Sequence, residues 1–121
     1  LEIIEVAETN TSDIFKNLEE EGKTILKQIR EYDFVVTLEI AGKQLTSNDI
    51  AKMIDEKQTY VSGDIVFIIG GSNGLHVDVQ KRSDLKLSFG NVTFLHQWIR
   101  LLVVEQIYRA HTILHNISYH K

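Results

Sequence analysis

The segment Asp64–Leu75, DIVFIIGGSNGL, decides how the rest of the chain is read. Five consecutive apolar residues, Ile65 to Ile69, have the continuous hydrophobicity of a fully buried strand. The strand stops on Gly70 and Gly71, and Gly74 follows after Ser72 and Asn73. A buried strand that ends on Gly-Gly turns sharply there or lets its backbone approach something closely.

Outward from that strand, periodicity assigns alternating elements. LEIIEV reads as a short strand, and IFKNLEEEGKTILKQI as a helix with apolar residues at Ile14, Leu18, Ile25 and Ile29. Its acidic run Glu19–Glu21 forms a solvated face. DFVVTLEI is the next strand, AGKQL a turn, and TSNDIAKMIDEKQTY a helix capped by Ser47 or Asn48. After the central strand come a short helix around NGLHVDVQKRS, a partly strand-like LKLSFGNVTF and a long helix from about Leu95 to His115. Strands alternating with helices predict a single α/β domain over residues 1–121, with a mostly parallel sheet and helices on both faces. Ligands of such sheets bind outside the carboxyl ends of the strands, where GGSNG and TLEIAGK fall.

Composition bounds the function. The 121 residues are 43% hydrophobic and 25% charged, as in an ordinary globular domain. Absence of Cys excludes disulfides, thiolate metal sites and a cysteine nucleophile, and fits a reducing compartment. No apolar run approaches the roughly 18 residues of a membrane span, and nothing resembles a signal peptide, so a cytoplasmic location is expected. Pro is absent where usage of about 5% predicts roughly six; nothing in the composition accounts for that. The net charge of −4 is uneven: residues 1–62 carry −6, while residues 63–121 carry +2 and all five histidines. An anionic partner would meet the second half.

GGSNG is neither a Walker loop, since no Lys-Ser/Thr follows, nor G-x-G-x-x-G. Two readings remain, a tight turn into a helix and a backbone wall against a flat, uncharged ligand such as an adenosine. His111 and His115 stand four apart, a spacing that can bind metal, but nothing completes a site and a polar helix face is the simpler reading; no metal is expected. Glu105 and Arg109 are spaced for a helical ion pair.

Four segments in order, TLEIAGK (37–43), FIIGGSNGL (67–75), LSFGNVTFLHQ (87–97) and RLLVVEQIYRA (100–110) with a terminal YHK, resemble the RlmH-type ribosomal RNA large-subunit methyltransferases of the SPOUT class. The resemblance implies a C-terminal trefoil knot with S-adenosyl-L-methionine bent within its loops. It implies that Leu38 closes over the cofactor, that Gly70 and Gly71 form a wall against it, and that Phe89, Gly90, Asn91, Val92, Thr93 and Phe94 wrap it. The implied reaction is methylation of N3 of a pseudouridine in 23S rRNA within the ribosome. His96 is the candidate base or anion stabiliser, Arg100 a phosphate or anion contact, and Tyr119 and His120 complete the site.

The chain departs from that pattern. Family members begin with a further strand and helix that this sequence lacks, and they usually carry proline where Leu95 stands and near Ile117 or Ser118. A non-catalytic RNA- or ribosome-associated module and an adenosine-ligand sensor therefore stay open as alternatives. Finally, Ile99, Leu101, Leu102, Val103, Val104, Ile107, Ile113 and Leu114 cover too much of the last helix for one core to bury, which predicts a homodimer built on it.

Overall fold

The strand that opened the reading, β3 (Ile65–Ile69), is buried along its whole length because it lies inside a four-stranded sheet ordered β1-β3-β2-β4. The computed structural model describes residues 1–5, 14–70, 74–92 and 96–121. Its elements run β1 (Glu2–Glu5), α1 (Ile14–Gln28), β2 (Phe34–Gln44), α2 (Ser47–Tyr60), β3, α3 (Val77–Arg82), β4 (Leu85–Ser88) and α4 (His96–Leu114). All three strand pairings are parallel. Parallel strands are joined by helical crossovers that cover both faces, so the central strands need no polar alternation.

Side chains of β3 divide between two cores. Ile65, Phe67 and Ile69 pack with Val36 of β2, Ile50 and Ile54 of α2, and Val103 and Ala110 of α4. Val66 and Ile68 point the other way, against Val35, Ile25 of α1 and Val79 of α3. The sheet thus carries two helices on each face, as the alternation of elements predicts.

Local chemistry sets the helix ends. The cap of α2 is Thr46 rather than Ser47 or Asn48: its hydroxyl accepts the Asp49 N–H at 3.0 Å, and the Asp49 carboxylate accepts the Thr46 N–H at 3.3 Å. Ser47 instead donates to Gln106 Oε1 at 2.8 Å, tying α2 to α4. In α1, Gly22 is buried against His76; a Cβ there would lie 2.9 Å from His76 Cβ.

The expected turn at AGKQL is a strand continuation with an excursion. Leu38 pairs with Leu87 of β4, and Lys43 then pairs with Leu87 again, so residues 39–42 leave the ladder and return to it. This is a large form of the bulges that re-aim strands beside functional sites.

The amino ends of the strands are held by charge. Asp33 is buried, and its carboxylate accepts the backbone N–H groups of Arg30 at 2.8 Å and Asp64 at 2.9 Å. Burial raises its pKa, but these two N–H groups and the Arg30 guanidinium outweigh that and leave it below the ordinary aspartate value. Arg82 donates to the carbonyls of Arg30, Glu31 and Asp33, and Asp84 accepts the Val35 N–H at 2.8 Å. Among the described residues, no helix is long and apolar enough to cross a membrane.

Candidate functional site

At the carboxyl ends of β3 and β4 lie Gly70 and the segment Phe89–Val92, and between them is the excursion within β2 after Leu38. Leu38 and Phe89 are half-buried and pack onto the core shared by α2 and α4. Asn91 and Val92 are exposed. Gly71, Thr93 and Phe94 lie outside the described residues, as does the side chain of His96, the first residue of α4.

The glycines differ in what they do. A Cβ on Gly70 would lie 2.8 Å from the Gly74 carbonyl oxygen and 2.8 Å from Leu75 Cδ2, so residues 74–75 fold onto Gly70 and already require glycine there. Gly90 has φ +115, a conformation that L side chains rarely adopt, and open space where a Cβ would be. Of the two, Gly90 presents the freer backbone.

A hydroxyl missed in the sequence reading joins two of these segments. Ser88, 4% exposed, accepts the Gly90 N–H at 3.0 Å and lies within donating distance of the Ile40 carbonyl (2.9 Å) and the Gly90 carbonyl (3.2 Å). The excursion is further held through Glu39, whose carboxylate accepts from the Thr37 hydroxyl at 2.7 Å and the Gln80 amide at 2.8 Å. The only sequence signal was a serine closing an apolar strand beside a Phe-Gly break.

The tail residues gather elsewhere. Asn116, at φ 56, takes the left-handed position that ends α4, with Ile117 N–H donating to the Thr112 carbonyl at 2.8 Å. The chain reverses and returns along the helix. Tyr119 then donates its hydroxyl to Glu105 at 3.2 Å, its ring lies under the Arg109 guanidinium, and Arg109 reaches His120 Nδ1 at 3.0 Å. The Glu105–Arg109 pair expected from spacing is present, with Arg109 Nε at 2.9 Å. Arg109 holds the Glu105 carboxyl below its usual range against the opposing effect of burial, and Glu105 raises Arg109 in return. A guanidinium has donors only, so His120 Nδ1 is the acceptor in this contact, as in the tautomer that carries its hydrogen on Nε2.

His96 and Arg100 lie earlier on the same helix. At 1.5 Å per residue, Arg109 lies about 13 Å beyond Arg100 and about 20 Å beyond His96 along α4. His96, at the start of α4, and the tail residues held on Glu105 and Arg109 thus stand at different levels of the helix.

The outer face of α4 also departs from expectation. Val103 is buried and Ile99, Ile107, Ile113 and Leu114 pack on the core. The exposed stripe is Trp98, Leu101, Val104 and Tyr108, with Trp98 57% and Leu101 59% exposed. The His111 and His115 rings lie 4.4 Å apart beyond it, and no group of three or more metal-ligating side chains occurs among the described residues.

The fold is a parallel α/β sheet with candidate ligand loops at the carboxyl ends and a last helix buried along one side. It is similar to the crystal structure of Archaeoglobus fulgidus Nep1 bound to S-adenosylhomocysteine, with a TM-score of 0.50 and 12% identity over 68% of this chain and 35% of that one. The chain spans about a third of that protein, and the likeness shows the fold alone. The family model described as "Predicted SPOUT methyltransferase" matches residues 1–120. The chain is also 46% identical to "Putative ribosomal RNA large subunit methyltransferase H" of Methanococcus maripaludis, over all of this chain and 80% of that protein. The chain belongs to the SPOUT methyltransferase family.

The methyl donor of that family is S-adenosylmethionine. The chemistry at the strand ends suits its uncharged adenosine: Leu38 and Phe89 are half-buried apolar side chains, and Gly90, next to Phe89, has open space where a Cβ would be.

Proposed function

We propose that this protein transfers a methyl group from S-adenosyl-L-methionine to N3 of a pseudouridine in 23S rRNA of the large ribosomal subunit. The observation that carries the reading is the convergence of Leu38, Gly70 and Phe89–Val92 at the carboxyl ends of three adjacent parallel strands, in a chain of this family. When bound, the cofactor supplies an electrophilic sulfonium methyl. Leu38, Gly70, Gly71 and the loop from Phe89 through Gly90, Asn91, Val92, Thr93 and Phe94 hold it, in the C-terminal trefoil knot that the family implies, and exclude water.

The protein's remaining task is to align a weakly acidic N3–H and stabilise the anion it leaves. His96 takes the N3 proton or stabilises the developing charge, and Arg100 contacts phosphate or the uracil-type anion. His120 offers Nε2–H to a carbonyl flanking N3, with Tyr119 positioned beside it. His96 and Arg109 lie about 20 Å apart along α4, and a second copy of the chain can bring the tail to His96. A homodimer in which two α4 helices pack antiparallel through Trp98, Leu101, Val104 and Tyr108 brings the tail of one copy to the start of α4 in the other. It also places two positively charged second halves side by side for RNA. A protein acting on ribosomes works in the cytoplasm.

The test is incorporation of labelled methyl from S-adenosylmethionine into ribosomes lacking this mark. Incorporation that falls in His96→Ala, with cofactor affinity kept within a few-fold, supports the reading. Cofactor binding without transfer leaves an adenosine-ligand sensor, and neither binding nor transfer leaves an RNA-associated module.

A further inference from the structure

We propose that Ser88 is a positioning residue that sets the distance between the two walls of the cofactor pocket, by joining the β2 excursion to the loop after β4. The inference rests on the cofactor site proposed above and adds a residue that does not itself touch the ligand, being 4% exposed.

The excursion is built to hold one shape. Residues 39–42 leave the ladder between two pairings to the same Leu87. At its start, the Glu39 carboxylate is fixed by Thr37 and Gln80. At its end, Gly42 lies so close to β4 that a Cβ would sit 2.7 Å from the Lys86 carbonyl carbon and oxygen. Between them the Ile40 side chain is 52% exposed, yet the Ile40 carbonyl is drawn inward to Ser88 Oγ at 2.9 Å.

The same oxygen accepts the Gly90 N–H at 3.0 Å. Of the two carbonyls in reach of its one proton, that of Ile40 is the nearer (2.9 Å against 3.2 Å for Gly90), and the hydroxyl forms a series: Gly90 N–H to Ser88 Oγ, Ser88 O–H to Ile40 C=O. Bonds in series polarise one another, and this one crosses between segments far apart in sequence. Its two ends belong to the segment that follows Leu38 and to the loop that contains Phe89 and Gly90. Leu38 and Phe89 pack on the same core at the carboxyl ends of the strands, where ligands of such sheets bind. The length of the series fixes how far apart those walls stand.

The nearby Ser83 supplies a control. Its hydroxyl lies 2.8 Å from Thr37 Oγ1 and 3.0 Å from the Leu85 carbonyl at the opposite end of β4; removing it takes one partner from Thr37 Oγ1 but leaves the Thr37 donation to Glu39 and the series itself in place. Calorimetry with S-adenosylhomocysteine is run on the natural protein, Ser88→Ala and Ser83→Ala, alongside methyl transfer at saturating cofactor. Loss of about one net hydrogen-bond contribution predicts roughly tenfold weaker binding for Ser88→Ala, with kcat within about twofold. Ser83→Ala keeps natural affinity. Equal affinity in all three, or equal weakening in both variants, overturns the proposal. No binding to the natural protein instead overturns the cofactor site. Should Ser88→Ala fold too poorly to titrate, amide exchange in the natural protein decides: protection at Gly90 supports the series, and exchange at the free-peptide rate refutes it.

Discussion

Asp33→Ala removes the acceptor on which the amino ends of β2 and β3 are assembled. The Asp33 side chain is 1% exposed, so the Arg30 and Asp64 N–H groups that it satisfies have no ready replacement in water. Each unsatisfied donor costs about 1–3 kcal/mol, and the loss of both predicts about 3 kcal/mol. With an m-value of roughly 1.5–2 kcal/mol/M, the urea midpoint falls by about 1.5–2 M at unchanged slope. Asp33→Asn, which keeps one oxygen acceptor, falls between. The sign of the pH dependence follows from the lowered carboxyl pKa: the contribution is complete above the ordinary value of 3.8 and is lost as pH falls through the lower folded value. That acid sensitivity diminishes in Asp33→Asn. Since the network lies at the opposite strand ends from the site, the folded variant keeps its cofactor affinity. A midpoint within 0.3 M (about 0.5 kcal/mol) of the natural protein, or a large loss of affinity, refutes the reasoning.

Other substitutions separate the remaining parts. Gly90→Ala forces a side chain into φ +115, which costs about 1–3 kcal/mol of local strain; calorimetry is expected to show weakened S-adenosylmethionine binding, and natural affinity would remove the loop from the pocket. Arg109→Gln releases the tail, and nitrogen NMR of His120 is expected to change from a dominant Nε2–H form to a tautomer mixture; an unchanged spectrum would show that Arg109 does not set the tautomer. Leu101→Asp places a charge on the exposed stripe of α4, and light scattering at micromolar concentration is expected to show a dimer become a monomer that no longer methylates. Persistence of the dimer would move the interface elsewhere.

Hydrophobic pattern made β3 legible because a strand covered on both faces needs no polar positions, and Ile65–Ile69 is buried throughout. The same logic found the four helices and the parallel sheet of the described residues. It misjudged residues 41–45, because a strand that loops out and resumes its pairing looks like a turn when only local residues are weighed. It also placed Val103 and Ile107 at an interface, although both face the core; apolarity says that a residue is covered, not by what. Gly70 shows the same limit, since its glycine is required by Leu75 and Gly74 of its own chain. Ser88 was invisible for a different reason, its partner Ile40 being 48 residues away in sequence. The Glu105–Arg109 pair was readable from helical spacing, while the return of Tyr119 and His120 to it depends on a single left-handed residue, Asn116.

The most direct measurement is nucleoside analysis of large-subunit rRNA after incubation with the purified protein and methyl-labelled S-adenosylmethionine. The account predicts label in a single nucleoside, 3-methylpseudouridine, at a level that falls in His96→Ala. Label in another nucleoside would contradict the substrate, and unlabelled rRNA from a protein that binds the cofactor would contradict methyl transfer itself.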